Sequence, residues 1–354
     1  MITNVETVQA TNDDQSDVPP PRMGQLLGGP TYVGPTLDLS GSVGVRAFIN
    51  ASPGAGTVHA TGLEPGTILV ERNALAGLEV HFRSPADGVD LFLENTRDGL
   101  SDNALNNSND ILVFGATGQL RVHVSSDSRV AGIGSGGLEG LTSLTVDGLG
   151  RLTAAQISLS PLLGFLAQSN LVDASASAGV SIGSYAPAAK QNTVILSGEA
   201  DTIKLTLQQQ VNTTVALGAG ADIATIGTYY DLLGAGTTQP AQANLTITAG
   251  RVTTYATFTD FQRGSDQLVL QQVGSLTPGL TAFAAGATSL EQALAAVAMQ
   301  VPARGTGVFV FGGDTWIFHQ DGVVGANTGD GLIRLVGVTG LTDTPVGGAD
   351  VRLS

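Results

Sequence analysis

The chain has 354 residues, a net charge of −15 and no cysteine. Disulfides, thiolate metal sites and cysteine catalysis are thereby excluded, and an acidic chain without basic runs is a poor partner for nucleic acid. Apolar residues make up 42% of it, enough for a sizeable core, while 48 glycines and only 13% charged residues describe many turns and few long surface helices.

The acidity is mostly aspartate, 22 Asp against 8 Glu. Aspartate favours turns, where its short side chain bonds nearby backbone, and its hard oxygens suit Ca²⁺. The first residues carry no basic stretch followed by an apolar one, so no Sec-type signal is expected. No apolar run approaches the roughly 18 residues of a membrane span. The expected location is therefore the cytoplasm, or outside the cell by a route that reads no N-terminal signal.

Residues 1–25 are polar and acidic and end in Pro19-Pro20-Pro21, which predicts a flexible N-terminal arm running into a stiff spacer. Its apolar residues Ile2, Val5 and Val8 suit addition to a neighbour's sheet. From 26 to 190 the chain reads as a β-repeat domain. Strand-like runs follow one another at "TVHAT" (57), "TILVE" (67), "LEVHF" (78), "DLFLE" (90), "DILVF" (110) and "LRVHV" (120). Most starts follow one another by ten to twelve positions, and a polar insertion fills the gap before Asp110. Val-His recurs at 58, 80 and 122, near one and two periods of 21.

Short strands at this spacing predict an all-β protein. A period near 21 predicts a β-solenoid or β-roll, whose rungs bury their apolar faces by stacking. An antiparallel β-sandwich is the alternative. His59, His81 and His123 could form a ladder if the rungs superpose; otherwise they are half-exposed strand residues, with no carboxylate recurring beside them at a fixed offset.

The segment 191–354 contains "VILSGEADTIKL" and "VALGAGADIATI", which place Asp201 and Asp222 one such period apart. "YATFTDFQRGSDQLVL" (255–270) reads as two strand halves joined by a turn carrying Asp260 and Asp266. One short helix is expected at 289–300, with Ser289 and Gln292 as a capping box and Pro302 as its stop. Gly312-Gly313-Asp314 between alternating runs predicts a hairpin.

Two resemblances follow from these residues. "GEADTI" and "GAGADIATI" resemble incomplete copies of the glycine- and aspartate-rich nonapeptide of RTX β-rolls, although no tandem array is present. The 255–270 stretch is similar to the segment that closes such rolls, through Phe258, Asp260, Phe261, Gly264, Asp266 and Leu268. "GDTWIFHQDGVVGANTGDGLIRLVGVTGL" resembles the last hairpin of bacterial surface-layer proteins and other type I-secreted proteins. The resemblance covers about residues 190–354. It implies an RTX/S-layer-like β-roll with an uncleaved C-terminal secretion signal, and Ca²⁺ as cofactor, with Asp201, Asp222, Asp260, Asp266, Asp314 and Asp330 as candidate metal ligands.

Catalytic signals are thin. "GVSIG" (179–183) fits the serine-hydrolase elbow pattern but lacks a following helix, and only His319 lies downstream. The pairs Asp87/Asp90 and Glu71/Glu94 could serve glycoside hydrolysis, though among so many aspartates they carry little information. The expectation is a non-enzymatic, extracellular protein of the bacterial cell surface that assembles with itself into a surface layer or filament. Its further partners would be the type I secretion machinery and a cell-surface polysaccharide. The alternative is a secreted β-helix that binds or degrades carbohydrate.

Overall fold

The structure is a computed structural model that describes residues 7–10, 33–53, 57–75, 77–97, 110–136, 140–159, 168–186, 189–208, 210–227, 244–271, 273, 276–341, 343–347 and 350–354. The Pro19–Pro21 spacer, Ile2 and Val5 lie outside them, as does most of the polar insertion before Asp110. By its contacts the chain forms two compact units: Met1–Leu163 with Ala176–Ala178, and Gly164–Ser175 with Gly179–Ser354.

The first unit contains β1 (Thr7–Ala10), β2 (Val33–Asp38), β3 (Ala47–Asn50), β4 (Thr57–Leu63), β5 (Ile68–Arg72), β6 (Gly77–Glu94), β7 (Asp110–Val124), β8 (Ser128–Gly136), β9 (Ser143–Gly148) and β10 (Leu152–Ser158). Strands that follow each other in sequence mostly do not pair. Instead β1 pairs with β3, β3 with β5, and β5 with the later part of β6, all parallel. The intervening strands β2, β4 and the early part of β6 make a second parallel stack, which continues through β7, β8 and β10. Ala47 faces Ile68 in one stack and Thr57 faces Gly77 in the other, so at these rungs one turn of chain has about the length of the sequence period and contributes one strand to each stack; the turn from β6 to β7 is longer, with Leu78 facing Ile111 and Leu91 facing Val122. This is a β-solenoid, and its parallel ladders exclude the antiparallel sandwich. The alternation in sequence sets which side faces in: Val58, Ala60, Leu78, Val80, Ile111, Val113, Leu120 and Val122 are all buried.

Thr7–Ala10, expected in the flexible arm, is a strand. It extends the first stack by pairing with β3 of its own chain, so at these residues the arm has a partner within the molecule.

The second unit contains β11 (Ser169–Ser177), β12 (Val180–Tyr185), β13 (Gln191–Ile195), β14 (Thr202–Leu205), β15 (Asn212–Ala216), β16 (Ile223–Ile226), β17 (Thr246–Thr248), β18 (Arg251–Thr254), β19 (Ala256–Phe258), β20 (Gln267–Leu270) and β21 (Leu276–Thr277). After these come α1 (Thr281–Ala284), α2 (Leu290–Ala298), β22 (Thr306–Phe311), β23 (Asp314–His319), β24 (Gly331–Leu335), β25 (Asp343–Gly347) and β26 (Asp350–Leu353). Here too alternate strands stack in parallel. One stack runs β11–β13–β15–β19 and the other β12–β14–β16–β20. Gln191 faces Asn212 and Thr202 faces Ile223, again one rung per sequence period. The next rung is about twice as long, with Thr213 opposite Ala256 and Ile223 opposite Gln267, because the β17–β18 hairpin and the chain before it are inserted.

The two halves of 255–270 therefore do not form a hairpin with each other. β19 and β20 are the two sides of one rung, joined through a corner. Both stacks then end on non-solenoid strands. β26 closes β20 in antiparallel fashion as part of the β25–β26 hairpin, and β24 closes β19 as the last strand of the β22–β23–β24 meander. The hairpin read at Gly312-Gly313 is present, both glycines at positive φ with Phe311 opposite Asp314. The helix is present at Leu290–Ala298, capped by the Ser289 side chain, which accepts from Gln292 N at 3.3 Å. Gln292 Oε1 reaches back one residue further than expected, to Thr288 N. With α1 the helix packs on Phe309, Trp316 and Phe318, a second small core.

Candidate functional site

The corners before β14, β16 and β20 each place an aspartate at the same rung position: Asp201, Asp222 and Asp266, all fully buried. They form a ladder through the backbone. Val180 N donates to Asp201 Oδ1 at 2.6 Å, Asp201 N to Asp222 Oδ1 at 2.8 Å, and Asp222 N to Asp266 Oδ1 at 3.2 Å. In the outer two rungs the second carboxylate oxygen turns back to the N–H four positions earlier. Asp201 Oδ2 takes Ser197 N at 2.7 Å, and Asp266 Oδ2 takes Gln262 N at 2.7 Å. Burial of a carboxylate is tolerated where backbone donors saturate it.

The middle rung breaks this pattern. Its equivalent donor is Gly218 N, and that N–H goes to Asp260 Oδ2 at 3.0 Å, while Leu217 N goes to Asp260 Oδ1 at 2.8 Å. Asp222 Oδ2 is buried without a hydrogen-bond partner. Burial first, then the charges of Asp266, Asp201 and Asp260, push the Asp222 carboxyl up to about 7 against the backbone bond from Asp201. Asp266 is raised as well, chiefly by burial, and its carboxyl lies against that of Asp222. Gly218 sits at φ +89°, where a Cβ would collide with the Ser197 carbonyl of the rung next to it. Glycine at this corner is thus what lets consecutive rungs close over the aspartates.

The remaining two candidate ligands are placed elsewhere. Asp314 accepts from Arg334 Nε and Gly337 N, each at 2.7 Å, and Arg334 lies 5.6 Å from the Trp316 ring centroid; this carboxylate is paired with a guanidinium. Asp330 accepts from Asp321 N and Asn327 N, each at 2.8 Å. Burial, with Asp321 nearby, pushes its carboxyl up to about 7. At the centre of that loop stands Asn327 Nδ2, within 3.2 to 3.5 Å of Gly325 O, Asp330 Oδ2, Asp321 Oδ1 and Val323 O. A neutral donor already serves those oxygens.

The histidines form no ladder, because β4 stacks on β6 with His59 opposite Glu79, two positions short of His81. His81 stands opposite Phe114, whose ring stacks on it at 4.2 Å. His123 belongs to the other stack. Each has a carboxylate that sequence reasoning did not find. Glu79 Oε1 lies 2.7 Å from His81 Nε2 and 3.4 Å from His59 Nδ1. His123 lies between Asp147, 2.7 Å from its Nδ1, and Asp90, 3.4 Å from its Nε2. Burial works to raise Glu79, but the hydrogen bonds of His81 and His59 outweigh it and leave the carboxyl below its usual value. Arg121 holds Asp90 low in the same way.

Of the pairs considered for glycoside hydrolysis, Glu71 is fully buried and bonded to Asn50, whereas Glu94 pairs with Arg72. Ser181, the would-be nucleophile, lies within β12 with its Oγ 2.6 Å from Thr202 Oγ1. Among the described residues no three His, Asp or Glu side chains converge on a metal-sized centre, so an ion here would need backbone or water oxygens as well. No protein-family model matches the chain, and no curated protein is significantly similar to it.

Proposed function

We propose that this is a secreted structural protein that assembles with itself into a surface layer or extracellular filament, supported by Ca²⁺ and exported by a type I system. The observation that carries this reading is the first rung. Among the described residues β1 and β2 pair on one side only, with β3 and β4, while β20 and β19 are covered by the C-terminal hairpin and meander. An uncovered parallel rung offers a row of backbone donors and acceptors to a strand from another copy. Subunits of charge −15 repel each other, and a divalent cation offsets that repulsion. The RTX/S-layer resemblance of 190–354 supports export by a type I route and a cell-surface destination. Electron microscopy of the purified chain with Ca²⁺ should reveal ordered sheets or filaments that chelator disperses; monomers in both conditions at high concentration would sink the reading.

A second reading, binding to a cell-surface polysaccharide, is favoured by one cluster. Asp90, Arg121, His123 and Asp147 lie side by side on one partly exposed solenoid face, with Phe92 against His123 at 4.5 Å. Planar polar groups beside an aromatic ring suit sugar hydroxyls and sugar faces. Co-sedimentation with insoluble polysaccharide, lost in Arg121→Ala, would support it.

A further inference from the structure

The strands at sheet edges are not protected alike. Among the described residues β2 carries Pro35, which has no N–H, and its ladder with β4 breaks between Val33 and Thr36. β25 carries Pro345 and a similar irregularity between Pro345 and Gly347. β21 is followed at once by Pro278. The β17–β18 hairpin has side-chain partners instead: Ile247 N donates to Thr328 Oγ1 at 3.0 Å, and Val252 N to Glu291 Oε1 at 3.3 Å. Proline, ladder irregularities and covering groups all keep an edge from pairing.

β1 has none of these. Thr7-Val8-Gln9-Ala10 contains no proline and no charge, and among the described residues it pairs with β3 alone. Ala10 O accepts from Ala51 N at 3.1 Å, so Ala10 points its backbone groups at β3. That direction alternates along a strand; Val8 therefore faces β3 as well, while Thr7 and Gln9 turn their N–H and C=O to the open side. Val8 is half-buried and in register with the fully buried Phe48. A chain of charge −15 meets its own copy at least cost where no charge intervenes.

We propose that β1 pairs with β1 of a second copy, antiparallel across a two-fold axis at Val8, a contact that rests on the self-assembling reading above and gives it a symmetry. The last rung cannot supply the partner strand, because β26 and β24 already cover β20 and β19. An edge that meets itself across a two-fold axis does so antiparallel. In this register Gln9 lies opposite Thr7 of the second copy, and each exchanges its N–H and C=O with the other, so the outward backbone groups of both residues are used. The two Val8 side chains meet as the non-hydrogen-bonded pair between them and close the apolar end of the core beside Phe48. Such a contact closes at two chains, so a layer or filament grows from the dimer through other surfaces.

The chain has no cysteine, so a single introduced thiol reports the register. Val8→Cys, oxidised with diamide at high protein concentration in chelator, should give a disulfide-linked dimer, since the Cα atoms of a non-hydrogen-bonded pair lie about 4.5 Å apart. Gln9→Cys should not, because its two copies are more than about 7 Å apart in this register. Sedimentation of the wild type in chelator should show a concentration-dependent particle of twice 35.8 kDa. Gln9→Pro removes an outward N–H and leaves the β3 ladder, and should weaken that dimer on the order of 10-fold or more while the chain still melts cooperatively. A wild type that stays monomeric, an uncross-linked Val8→Cys, or equal cross-linking of the two cysteine variants each overturns the proposal. Assemblies that form in Ca²⁺ as readily from Gln9→Pro, with no cross-link in Val8→Cys, overturn it and leave the assembling function standing. A dimer of the predicted register that never grows with Ca²⁺ leaves the contact standing and refutes the layer or filament.

Discussion

Glu71 illustrates at the level of one residue what a solenoid interior demands. Its carboxyl is fully buried, Asn50 Nδ2 donates to Oε1 at 2.9 Å, and Oε2 has no partner. Burial raises it well above the ordinary glutamate value, with the Asn50 bond pulling the other way. The folded chain thus keeps a proton that the unfolded chain releases above about pH 4.3. Stability contributed by protonated Glu71 is fully present below that pH and falls as pH rises toward the folded value. Glu71→Gln, neutral at every pH, should flatten this slope and leave the variant more stable than the wild type at pH 8. Urea unfolding at pH 5 and pH 8 checks it, and parallel slopes in the two proteins would contradict it. The histidines carry a different lesson. The partners of His123 were illegible because Asp90 and Asp147 reach it from neighbouring rungs, and register is not written in the spacing of like residues, whereas Glu79 stands only two residues before His81 on the same strand.

Among the elements, the strands were legible and their pairing was only partly so. The runs at 57, 67, 78, 110 and 120 all lie in strands, since alternation of apolar and polar residues is a local property. The sequence period predicted the stacking of Asp201 on Asp222 but not the place of Asp266, because the β17–β18 insertion lengthens the rung that carries it. For the same reason the stretch 255–270 reads as a hairpin when seen alone: a rung corner and a hairpin turn use the same Gly and Asp. The one-turn helix α1 is too short to leave a periodic signal. At α2, the Ser289 cap and the reach of Gln292 to Thr288 should each stabilise the first turn. Ser289→Ala should cost about 1 kcal/mol, read from the shift in the denaturation midpoint of the second unit. Phe258, fully buried in β19 between β15 and β24, should cost about 3–5 kcal/mol on truncation to Ala.

For the molecule as a whole, the asymmetry between the first and last rungs is the feature with functional weight. The C-terminal strands turn antiparallel and cover β20, and the meander covers β19, whereas among the described residues β1 and β2 are covered on one side. Exposed edges invite pairing, and proteins that must stay monomeric block them. Gln9→Lys, at the exposed outward-facing position of β1, should hinder docking of a second strand while leaving the inward-facing Val8 and Ala10 in place. The most direct test of self-assembly is the mass of the wild-type particle by analytical ultracentrifugation across a Ca²⁺ series and in chelator. Growth with Ca²⁺ well beyond the 35.8 kDa of one chain, reversed by chelator, is the predicted result. A mass of one chain at every Ca²⁺ concentration would contradict it.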